Sequence, residues 1–577
     1  MAKKQFDDWK LLLNNAYFKI AAAIIAISII GLTTVGDYGL TVDEGTELAM
    51  VRRNFELVSK GTPIPGDLKY FGTFFNFIAE TTFQVKEYLT KGSSYNPSAY
   101  NQARSEAEEK QYRLQGLADR IKVKHPLTFL ISLVAYISVA ALVGILCGLE
   151  WAFLAPICLA LFPRFWGHTF FNPKDPPFAA MFTLCTLAGA YLVNYYLQSE
   201  DRVKLGRNRL TLYAALYGIL AGLLSSVRIG GFFILFFIAI AHFGLAIAEK
   251  RNLFKEIKNF LPIYILTIAT WAGTTILLQP ASWANLCSPD FPCPPVTWSN
   301  PASWHNPIGW FFATIGYLSK HPLPITVLFE GQTIFIQHIP QHYIPKWLLI
   351  TIPVIFQILL IVGTVLIVQK YAKFSLLQRS CVVLVGLQIL FLPLVAIIKH
   401  SSAYDEVRHF LFIIPGIAVI STAGLIWLYQ KLTNRNWRLF AVTVIAILFS
   451  QIAGEMISLH PYQYTYFNQF AGGLANARNF YDTDYWGLSL REGMEWLNKN
   501  GNSHSKIVIS GFTNSAQIFA DPKFEFVEYN PKHEPPAKPF YFLAWPRWLA
   551  QTYFPECPTI HAVTRQNVPL TIVKECQ

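Results

Sequence analysis

The sequence predicts a polytopic α-helical membrane protein with a small α/β domain after its last transmembrane helix. Of the 577 residues, 53% are hydrophobic and only 14% are charged, and the mean hydropathy is +0.34. This apolar content exceeds what a water-soluble fold can usually bury. Apolar runs approaching or exceeding the roughly 20 residues needed to cross a bilayer core recur along the chain as far as residue 457.

About eleven such runs predict transmembrane helices. The shortest run, 149-163, is interrupted by Pro156. The predicted spans are 18-36, 127-147, 149-163, 177-197, 210-226, 230-247, 259-279, 348-369, 380-398, 410-429 and 439-457.

Lysine and arginine residues indicate which helix ends are cytoplasmic. They concentrate in the N-terminal tail and in alternate connections, at 202-209, 250-258, 370-379 and 431-438. Because short cytoplasmic loops are enriched in positive charge, we expect the N-terminus inside and the C-terminus outside a cell membrane, with functional residues facing the periplasm or the exterior. The outer segments are then 37-126, 164-176, 227-229, 280-347, 399-409 and everything after 458.

Two outer segments are long enough to have structure of their own. In the first, Leu48 to Val58 and Phe71 to Val85 have the pattern of amphipathic helices on the membrane surface, and the polar stretch 100-124 predicts a solvated helix or linker. After residue 458 the chain has a helical pattern at 490-498 and strand-like runs at 506-510, 540-543 and 570-573. We therefore expect a transmembrane domain, 1-457, and an outer α/β domain, 458-577.

Four of the eight cysteines lie in polar segments that are predicted to be outside. Cys287 with Cys293, and Cys557 with Cys576, are each close enough in sequence to form a local disulfide in an oxidising compartment. Free thiols are the alternative. None of the cysteines has the spacing of a zinc site.

The acidic pair Asp43-Glu44 follows the first span almost directly. At the membrane boundary the local dielectric constant is low, so a carboxylate there can have a raised pKa and serve as a general base. The alternative is an acidic first helical turn, since acidic residues are favoured at a helix N-terminus. Position in the sequence leaves both interpretations open.

The loop 163-177 is unusually dense in polar and aromatic residues for a short connection, and it includes His168. Asp175, next to Lys174 and preceding a Pro pair, could face Asp43 across a cavity, where the two carboxylates would position an acceptor or a metal. The alternative is that Asp175 caps the helix that begins with those prolines. Both interpretations can hold together.

Basic residues in short outer loops oppose the expected charge bias, and cations at a membrane boundary are candidates for function. Arg228 separates two spans, and Arg408 and His409 follow Tyr404 at the start of another. Arginine can bind a phosphate through two parallel hydrogen bonds. The alternatives are snorkelling to lipid headgroups and, for Arg408, a local pair with Asp405. The basic residues of the short outer loops are Arg164, Lys174, Arg228, Lys399 and Arg408, and Lys69 in the first outer segment is either a further cation near a lipid-borne anion or a solvated lysine.

Tyr, Trp, Asn and Asp are dense at 460-468 and 482-487, and this composition fits a carbohydrate or polar acceptor, with Tyr464 as one contact. The alternative is an aromatic belt under the outer domain. Phosphate-binding glycine loops, serine nucleophile motifs, HExxH and paired CxxC motifs are missing from the sequence, and so is any basic stretch interleaved with aromatics of the kind that binds nucleic acid.

The order of these motifs along the chain, and their predicted location on one side of the membrane, resemble the GT-C class of membrane glycosyltransferases. The nearest resemblance is to the protein O-mannosyltransferases, the lipid A aminoarabinose transferase and their bacterial homologues. The residues that carry the resemblance are Asp43-Glu44, Pro173-Lys174-Asp175-Pro176, Arg228, and Arg408-His409 with Pro415. The resemblance implies a GT-C fold and the transfer, with inversion, of a sugar from a polyprenyl-phosphate carrier to an acceptor outside the cytoplasm.

It also implies roles for individual residues. Asp43 would be the base, with Glu44 and Asp175 as further catalytic carboxylates. Arg228, Arg408, Lys69 and Lys174 would bind the donor phosphate, and His168, His409, Tyr404 and Tyr464 would contact the sugar or the acceptor. A divalent metal is compatible with this arrangement but is not required by it.

The chain also departs from that family. Segment 280-347 is too short for the additional β-barrel domain of the mannosyltransferases, so neither mannose nor their acceptor class carries over. The acceptor, a glycolipid, a glycan or a protein, stays open. The alternative function is a secondary transporter or lipid flippase, for which charges near the bilayer midplane would be expected. The expected partners are the lipid-linked donor, an acceptor and the bilayer, without nucleic acid.

Overall fold

The structure is a computed structural model that describes residues 15-64, 66-92, 106-198, 207-283, 300, 305-320, 324-511 and 513-577. Within these residues, ten helices are long and apolar enough to cross a membrane, and the bent pair Leu149–Ala160 and Pro163–Phe171, with an angle of 74°, would make eleven. The chain is thus a multi-pass helical membrane protein with a small sheet domain near its C-terminus.

The helices that cross or enter the predicted bilayer form one bundle with a continuous apolar core. They are α1 (Ala16–Thr34), α4 (Glu106–Cys147), α5 (Leu154–Ala160), α6 (Pro163–Phe171), α7 (Asp175–Gln198), α8 (Arg207–Val227), α9 (Phe233–Ala248), α10 (Leu253–Leu278), α14 (Val354–Lys370), α15 (Leu376–Ile398), α16 (Ile414–Lys431) and α17 (Arg435–Leu459). All but the bent pair lie close to the predicted spans. The predicted span 348-369 begins later than expected, because Ile352 and Pro353 separate it from a shorter helix.

Successive membrane helices run in opposite directions, so the connections between them lie alternately on two sides of the bundle. On one side, the Thr73 hydroxyl donates to the carbonyl oxygen of Leu278 at 2.8 Å. On the other side, Arg379 pairs with Glu249 at 2.6 Å. We call the first side the site end; it carries residues 35-43, 172-174, 228 and 405-408. Which side of a membrane the site end faces stays a prediction from the lysine and arginine distribution.

Two amphipathic helices lie at the site end, as the sequence predicts; the first extends beyond its predicted bounds at both ends, and the second begins three residues later and ends six residues later than predicted. They are α2 (Glu44–Lys60) and α3 (Phe74–Lys91). The predicted linker 100-124 is only partly described, because 100-105 lie outside the described residues. From Glu106 the chain is helical and continues without a break into the following span, with Arg120 buried against Glu80 at 2.7 Å.

The long segment before α14 contains elements that the sequence analysis did not predict. Among its described residues are α11 (Pro280–Trp283), α12 (Ile308–Lys320), a hairpin of β1 (Thr326–Phe329) and β2 (Gln332–Phe335), and α13 (Tyr343–Thr351).

Residues 460-489, which we call the connector, join the last span to the sheet domain. The connector contains the five-residue helix α18 (Gly473–Ala477), and most of its large side chains are buried against the membrane helices. Asn468, for example, donates its side-chain amide to the carbonyl oxygens of Leu349 and Ile352 at 2.7 Å each. The connector is therefore packed into the bundle, although its composition is that of a soluble segment.

The sheet domain, residues 490-577, has a five-stranded mixed sheet in the order β4 (Glu525–Tyr529), β3 (Lys506–Ser510), β5 (Phe540–Ala544), β7 (Val568–Cys576) and β6 (Thr559–Arg565). The first three strands in that order are parallel, and β7 is antiparallel to both of its neighbours. The domain also contains α19 (Leu490–Asn500) and α20 (Asn514–Gln517). The sequence predicted α19, β3, β5 and part of β7, but not β4 or β6, which lack the nearly continuous apolar runs of β3 and β5.

A disulfide joins Cys557 to Cys576, with a Cα–Cα distance of 4.9 Å, as one of the two cysteine hypotheses predicted. Cys287 and Cys293, the other pair, lie outside the described residues.

We expect peptide mapping without reduction to find Cys557 and Cys576 in one linked peptide. Their sequence separation is 19, and closing a loop of roughly this length is worth about 3 kcal/mol. Replacing both by serine should therefore lower the melting temperature of the sheet domain. Replacing Cys147, a half-buried free thiol, is the control. Free thiols at both positions in unreduced protein would contradict the bridge.

Candidate active site

The guanidinium of Arg408 is the centre of a cluster of charged side chains at the site end. Arg408 begins the 3₁₀ turn that leads into α16, and it is 5% exposed. Its Nη2 lies 3.1 Å from Asp405 and 3.9 Å from Asp43, and its Nη1 lies 3.7 Å from Asp175. Three carboxylates from distant parts of the sequence therefore meet at one cation.

Aromatic rings enclose that cation. The Arg408 guanidinium carbon lies 4.9 Å from the ring centroid of Tyr404 and 4.7 Å from that of Trp486. Such rings attract a cation through their negative faces while excluding water. Because the dielectric constant is low there, the carboxylates act more strongly on Arg408 than they would in water.

Asp175 is the first residue of α7 and is almost fully buried. Its Oδ1 pairs with Arg228, and its Oδ2 accepts a hydrogen bond from the Asn172 amide at 2.7 Å. The Asn172 side-chain oxygen in turn accepts from the backbone N–H groups of Lys174 and Asp175 at 3.1 and 3.0 Å. This turn fixes the direction of the Asp175 carboxylate, so the residue starts its helix and also belongs to the cluster.

Asp43 is the most accessible carboxylate of the cluster, with a side chain that is 44% exposed. It occupies the N-cap position of α2, but its side chain makes no capping hydrogen bond. The protein atoms packed around it raise the pKa of Asp43, against the opposing effect of Arg408 and Lys174. A carboxylate that is accessible and has a raised pKa has the properties of a general base.

Glu44 and Glu47 both line a crevice between α2, α3 and α4, with different partners. Glu44, 1% exposed, lies 3.1 Å from His125 and accepts from the backbone N–H of Thr41 at 3.1 Å. Glu47 pairs with Lys174 and accepts from Asn76. Burial raises the pKa of Glu47, but Lys174 and Lys124 outweigh it, and the net pKa is lowered. Glu47 therefore holds Lys174 at the cluster.

Asp405 and Glu406 precede Arg408 in a strained backbone conformation, with φ values of 52° and 60°. Side chains other than glycine adopt this left-handed region at a cost, and such residues concentrate at functional sites. Asp405 pairs with Arg547 at 2.6 Å. Glu406 pairs with Arg164 and accepts from the Tyr485 hydroxyl at 2.6 Å. Both carboxylates are buried, and these pairs hold them in place.

The other predicted site residues lie around this cluster. Lys69 lies 5.2 Å from the ring centroid of Tyr70, in the turn just before Gly72. His409 packs edge-on against Tyr404, with ring centroids 4.8 Å apart. His168 and Tyr464 are fully buried: His168 lies 3.2 Å from Glu406, and Tyr464 donates to Asp484.

The structure brings together Asp43, Asp175, Arg228, Arg408 and Lys174, which the sequence had indicated as candidates. Glu47, Arg547 and Glu406 were not predicted as site residues, although Arg164, the partner of Glu406, was among the candidate cations. Glu406 stands in the same short motif as Arg408, so its charge was a usable signal. Nothing in the local sequence distinguishes Arg547 from other arginines of the sheet domain.

Within the described residues, no group of three or more His, Cys, Asp and Glu side chains is arranged to hold a metal ion. The carboxylates of the cluster face guanidinium and ammonium groups instead.

No family model matches the chain. No curated protein matches it either. Among solved structures, it is similar to the archaeal oligosaccharyltransferase AglB from Archaeoglobus fulgidus in complex with an inhibitory peptide and a dolichol-phosphate (12% identity, 87% of this chain and 64% of that one, TM-score 0.45). The same values of identity and coverage, with a TM-score of 0.44, hold for the Archaeoglobus fulgidus enzyme tethered to an acceptor peptide.

A third structure of the Archaeoglobus fulgidus oligosaccharyltransferase, in complex with Zn and sulfate, has 13% identity over 87% of this chain and 62% of that one, with a TM-score of 0.39. The chain spans less than two thirds of the length of these enzymes. Because the TM-scores are below 0.5, the likeness decides neither the fold nor the activity of this chain.

We expect Gly72→Ala to disturb the site end. A Cβ atom on Gly72 would lie 2.0 Å from the carbonyl oxygen of Val227, directly before Arg228, so the backbone would have to move. Overpacking of this kind costs about 1–3 kcal/mol, and thermal unfolding in detergent should show it as a lower melting temperature. Gly36→Ala is the matched control, because no atom lies within 4 Å of a Cβ there. Equal melting temperatures for the two variants would contradict this contact.

Proposed function

We propose that this protein is an inverting glycosyltransferase of GT-C type, which moves a sugar from a polyprenyl-phosphate carrier to an acceptor on the extracytoplasmic face of a cell membrane. One observation carries the proposal: an accessible carboxylate, Asp43, lies 3.9 Å from a buried guanidinium, Arg408, at the ends of membrane helices. A base and an anion-binding group are thus adjacent where a lipid headgroup and a polar acceptor can meet.

The reaction needs one proton acceptor and one site for a leaving phosphate. A hydroxyl oxygen of the acceptor would attack the anomeric carbon of the sugar, while Asp43 takes the hydroxyl proton. The bond between the anomeric carbon and the phosphate oxygen breaks as the new bond forms, which inverts the configuration. The electron pair of the broken bond stays on the polyprenyl phosphate, whose negative charge requires nearby cations.

Arg228, Arg408 and Lys174 are the proposed cations, with Lys69 at the edge of the phosphate site. The side chains of Arg228 and Lys174 are 25% and 19% exposed, so a ligand can reach them. The Nε atoms of Arg228 and Arg408 are buried and donate to no acceptor within the described part of the chain. Buried donors are normally satisfied, and a phosphate oxygen is a suitable acceptor for them.

The remaining predicted residues have supporting roles in this proposal. Asp175 orients Arg228, and Glu44 holds the turn at Thr41 beside Asp43. Tyr404 and His409 are proposed to contact the sugar or acceptor directly. His168 and Tyr464 are buried, and we place them behind the site, acting through Glu406 and Asp484.

Asp43→Asn should leave only a small residual rate of sugar transfer, because the amide cannot accept the hydroxyl proton. The measurement supplies purified protein in liposomes with a panel of radiolabelled polyprenyl-phosphate sugars and candidate acceptors. Loss of a general base costs about 10²–10⁴-fold in rate, whereas donor binding should change little. Asp37→Asn is the matched control: this exposed carboxylate follows the same span and pairs with His460 at 2.9 Å, away from the cluster.

Two results would contradict the proposal. Full activity of Asp43→Asn would exclude this residue as the base. If wild-type protein moved the lipid across the bilayer with its sugar linkage intact and without transfer, a flippase would replace the transferase as the function.

The rate should also depend on pH through Asp43. A base works in its deprotonated form, so kcat/KM should fall as the pH decreases through the pKa of this carboxyl group. Because surrounding protein raises the pKa of Asp43, the midpoint of the acid limb should lie above the value of about 4 that is usual for aspartate. A pH profile of initial rates checks this. A midpoint at or below the usual value, or the same limb in Asp43→Asn, would contradict the assignment.

A further inference from the structure

Arg547 of the sheet domain reaches into the charged cluster at the ends of the membrane helices. It begins the 3₁₀ turn Arg547–Thr552, shortly after β5, and is 6% exposed. Its Nη1 lies 2.6 Å from Asp405 Oδ1 and also donates to the carbonyl oxygen of Tyr485 at 2.8 Å. The sheet domain thereby contributes a cation to a site that is otherwise built from the membrane helices, their loops and the connector.

Asp405 is shared between two guanidinium groups. Arg547 is bound at Oδ1, and Arg408 lies 3.1 Å from Oδ2. Asp405 is 2% exposed, and its left-handed backbone conformation restricts the positions that its carboxylate can take. A connected series of charges therefore runs from Arg547 through Asp405 and Arg408 to Asp43.

We propose that Arg547 is a positioning residue, which neutralises and orients Asp405 so that Arg408 remains available to the carrier phosphate and to Asp43. The phosphate site is then complete only when the sheet domain is docked. This inference rests on the proposed function, since it assigns Arg408 to the phosphate.

The charge balance of the cluster supports this role. In direct ion pairs of 4 Å or less, four carboxylates, Asp43, Glu47, Asp175 and Asp405, contact four cations, Lys174, Arg228, Arg408 and Arg547. Without Arg547, these paired groups have a net charge of −1, which repels an anionic phosphate. Asp405 would then depend on Arg408 for neutralisation and would compete with the phosphate for that guanidinium.

The same change acts on Asp43. The charged groups that face Asp43 are Arg408, Lys174, Asp405 and Glu47, and the Asp405 carboxylate raises the pKa of Asp43. Those that face Asp405 are Arg408 and Arg547, with Asp482, Tyr343, Tyr404 and Tyr485 also nearby. Removing Arg547 leaves Asp405 less neutralised, so the pKa of Asp43 should rise and the acid limb of the rate should move to higher pH.

The test compares Arg547→Met and Arg547→Lys in the full-length protein. The probe is undecaprenyl phosphate, with its affinity measured in detergent. We expect Arg547→Met to weaken this affinity about tenfold or more and to move the acid limb upward, whereas Arg547→Lys keeps the charge and most of the affinity. Asp405→Asn in the Arg547→Met background should recover part of the loss, because the uncompensated carboxylate is then removed.

Arg491→Met is the matched control. Arg491 is another guanidinium of the sheet domain, and it donates to the backbone carbonyls of Gly36 and Tyr38 at 2.6 and 3.1 Å. It contacts the segment before α2 and does not bind Asp405, and the connector still holds the domain against the bundle when Arg491 is replaced, so this replacement should change the affinity by no more than about twofold.

Unchanged affinity and an unmoved acid limb in Arg547→Met would overturn the inference, and so would an equal loss in Arg491→Met. If Arg547→Met does not fold, the inference is tested by the affinities of Arg547→Lys and of the double variant with Asp405→Asn for undecaprenyl phosphate. Wild-type protein that binds undecaprenyl phosphate but transfers no sugar would overturn the proposed function, with the inference still judged on affinity. Wild-type protein that does not bind the probe would overturn both.

Discussion

The burial of the Arg408 guanidinium is the constraint on which the rest of the site depends. Removing an arginine from water is costly unless its charge is compensated nearby. The protein compensates it with Asp43, Asp175 and Asp405, at distances between 3.1 and 3.9 Å. Each carboxylate stands at the end of a different helix or in a different loop, so the single cation sets the relative positions of three chain segments.

A second constraint is the close contact between the connector and the membrane helices. The Tyr38 hydroxyl donates to the side-chain oxygen of Gln463 in the connector at 2.9 Å, and the ring of Tyr464 packs against that of Phe171 with centroids 5.1 Å apart. A Cβ on Gly39 would lie only 2.4 Å from the carbonyl oxygen of Leu488, so the two backbones meet directly. The sheet domain is consequently held against the segment that carries Asp43, which gives Arg547 a fixed position relative to the site.

The strain at Asp405 and Glu406 follows from these two constraints. Two successive residues with positive φ are unfavourable by about 1–3 kcal/mol each, and they persist only where the surroundings determine them. Here Arg547 and Arg408 hold one carboxylate, while Arg164 and Tyr485 hold the other. In the loop before α16, an unfavourable backbone conformation therefore places two successive buried carboxylates so that each binds a different pair of partners.

The sequence by itself determined the spans other than 149-163, the amphipathic helices, the α/β character of the tail and a short set of charged residues expected at one end of the bundle, whereas it left the Cys557–Cys576 bridge as one of two alternatives. Hydropathy, periodicity and charge bias are local properties, and helix length against bilayer thickness converts them directly into structure. Only the tertiary structure decided which carboxylate meets which cation. Glu47 rather than Glu44 pairs with Lys174, and Arg547 reaches Asp405 from a different domain. Such pairs depend on how distant segments pack, and single-sequence patterns carry no record of that packing.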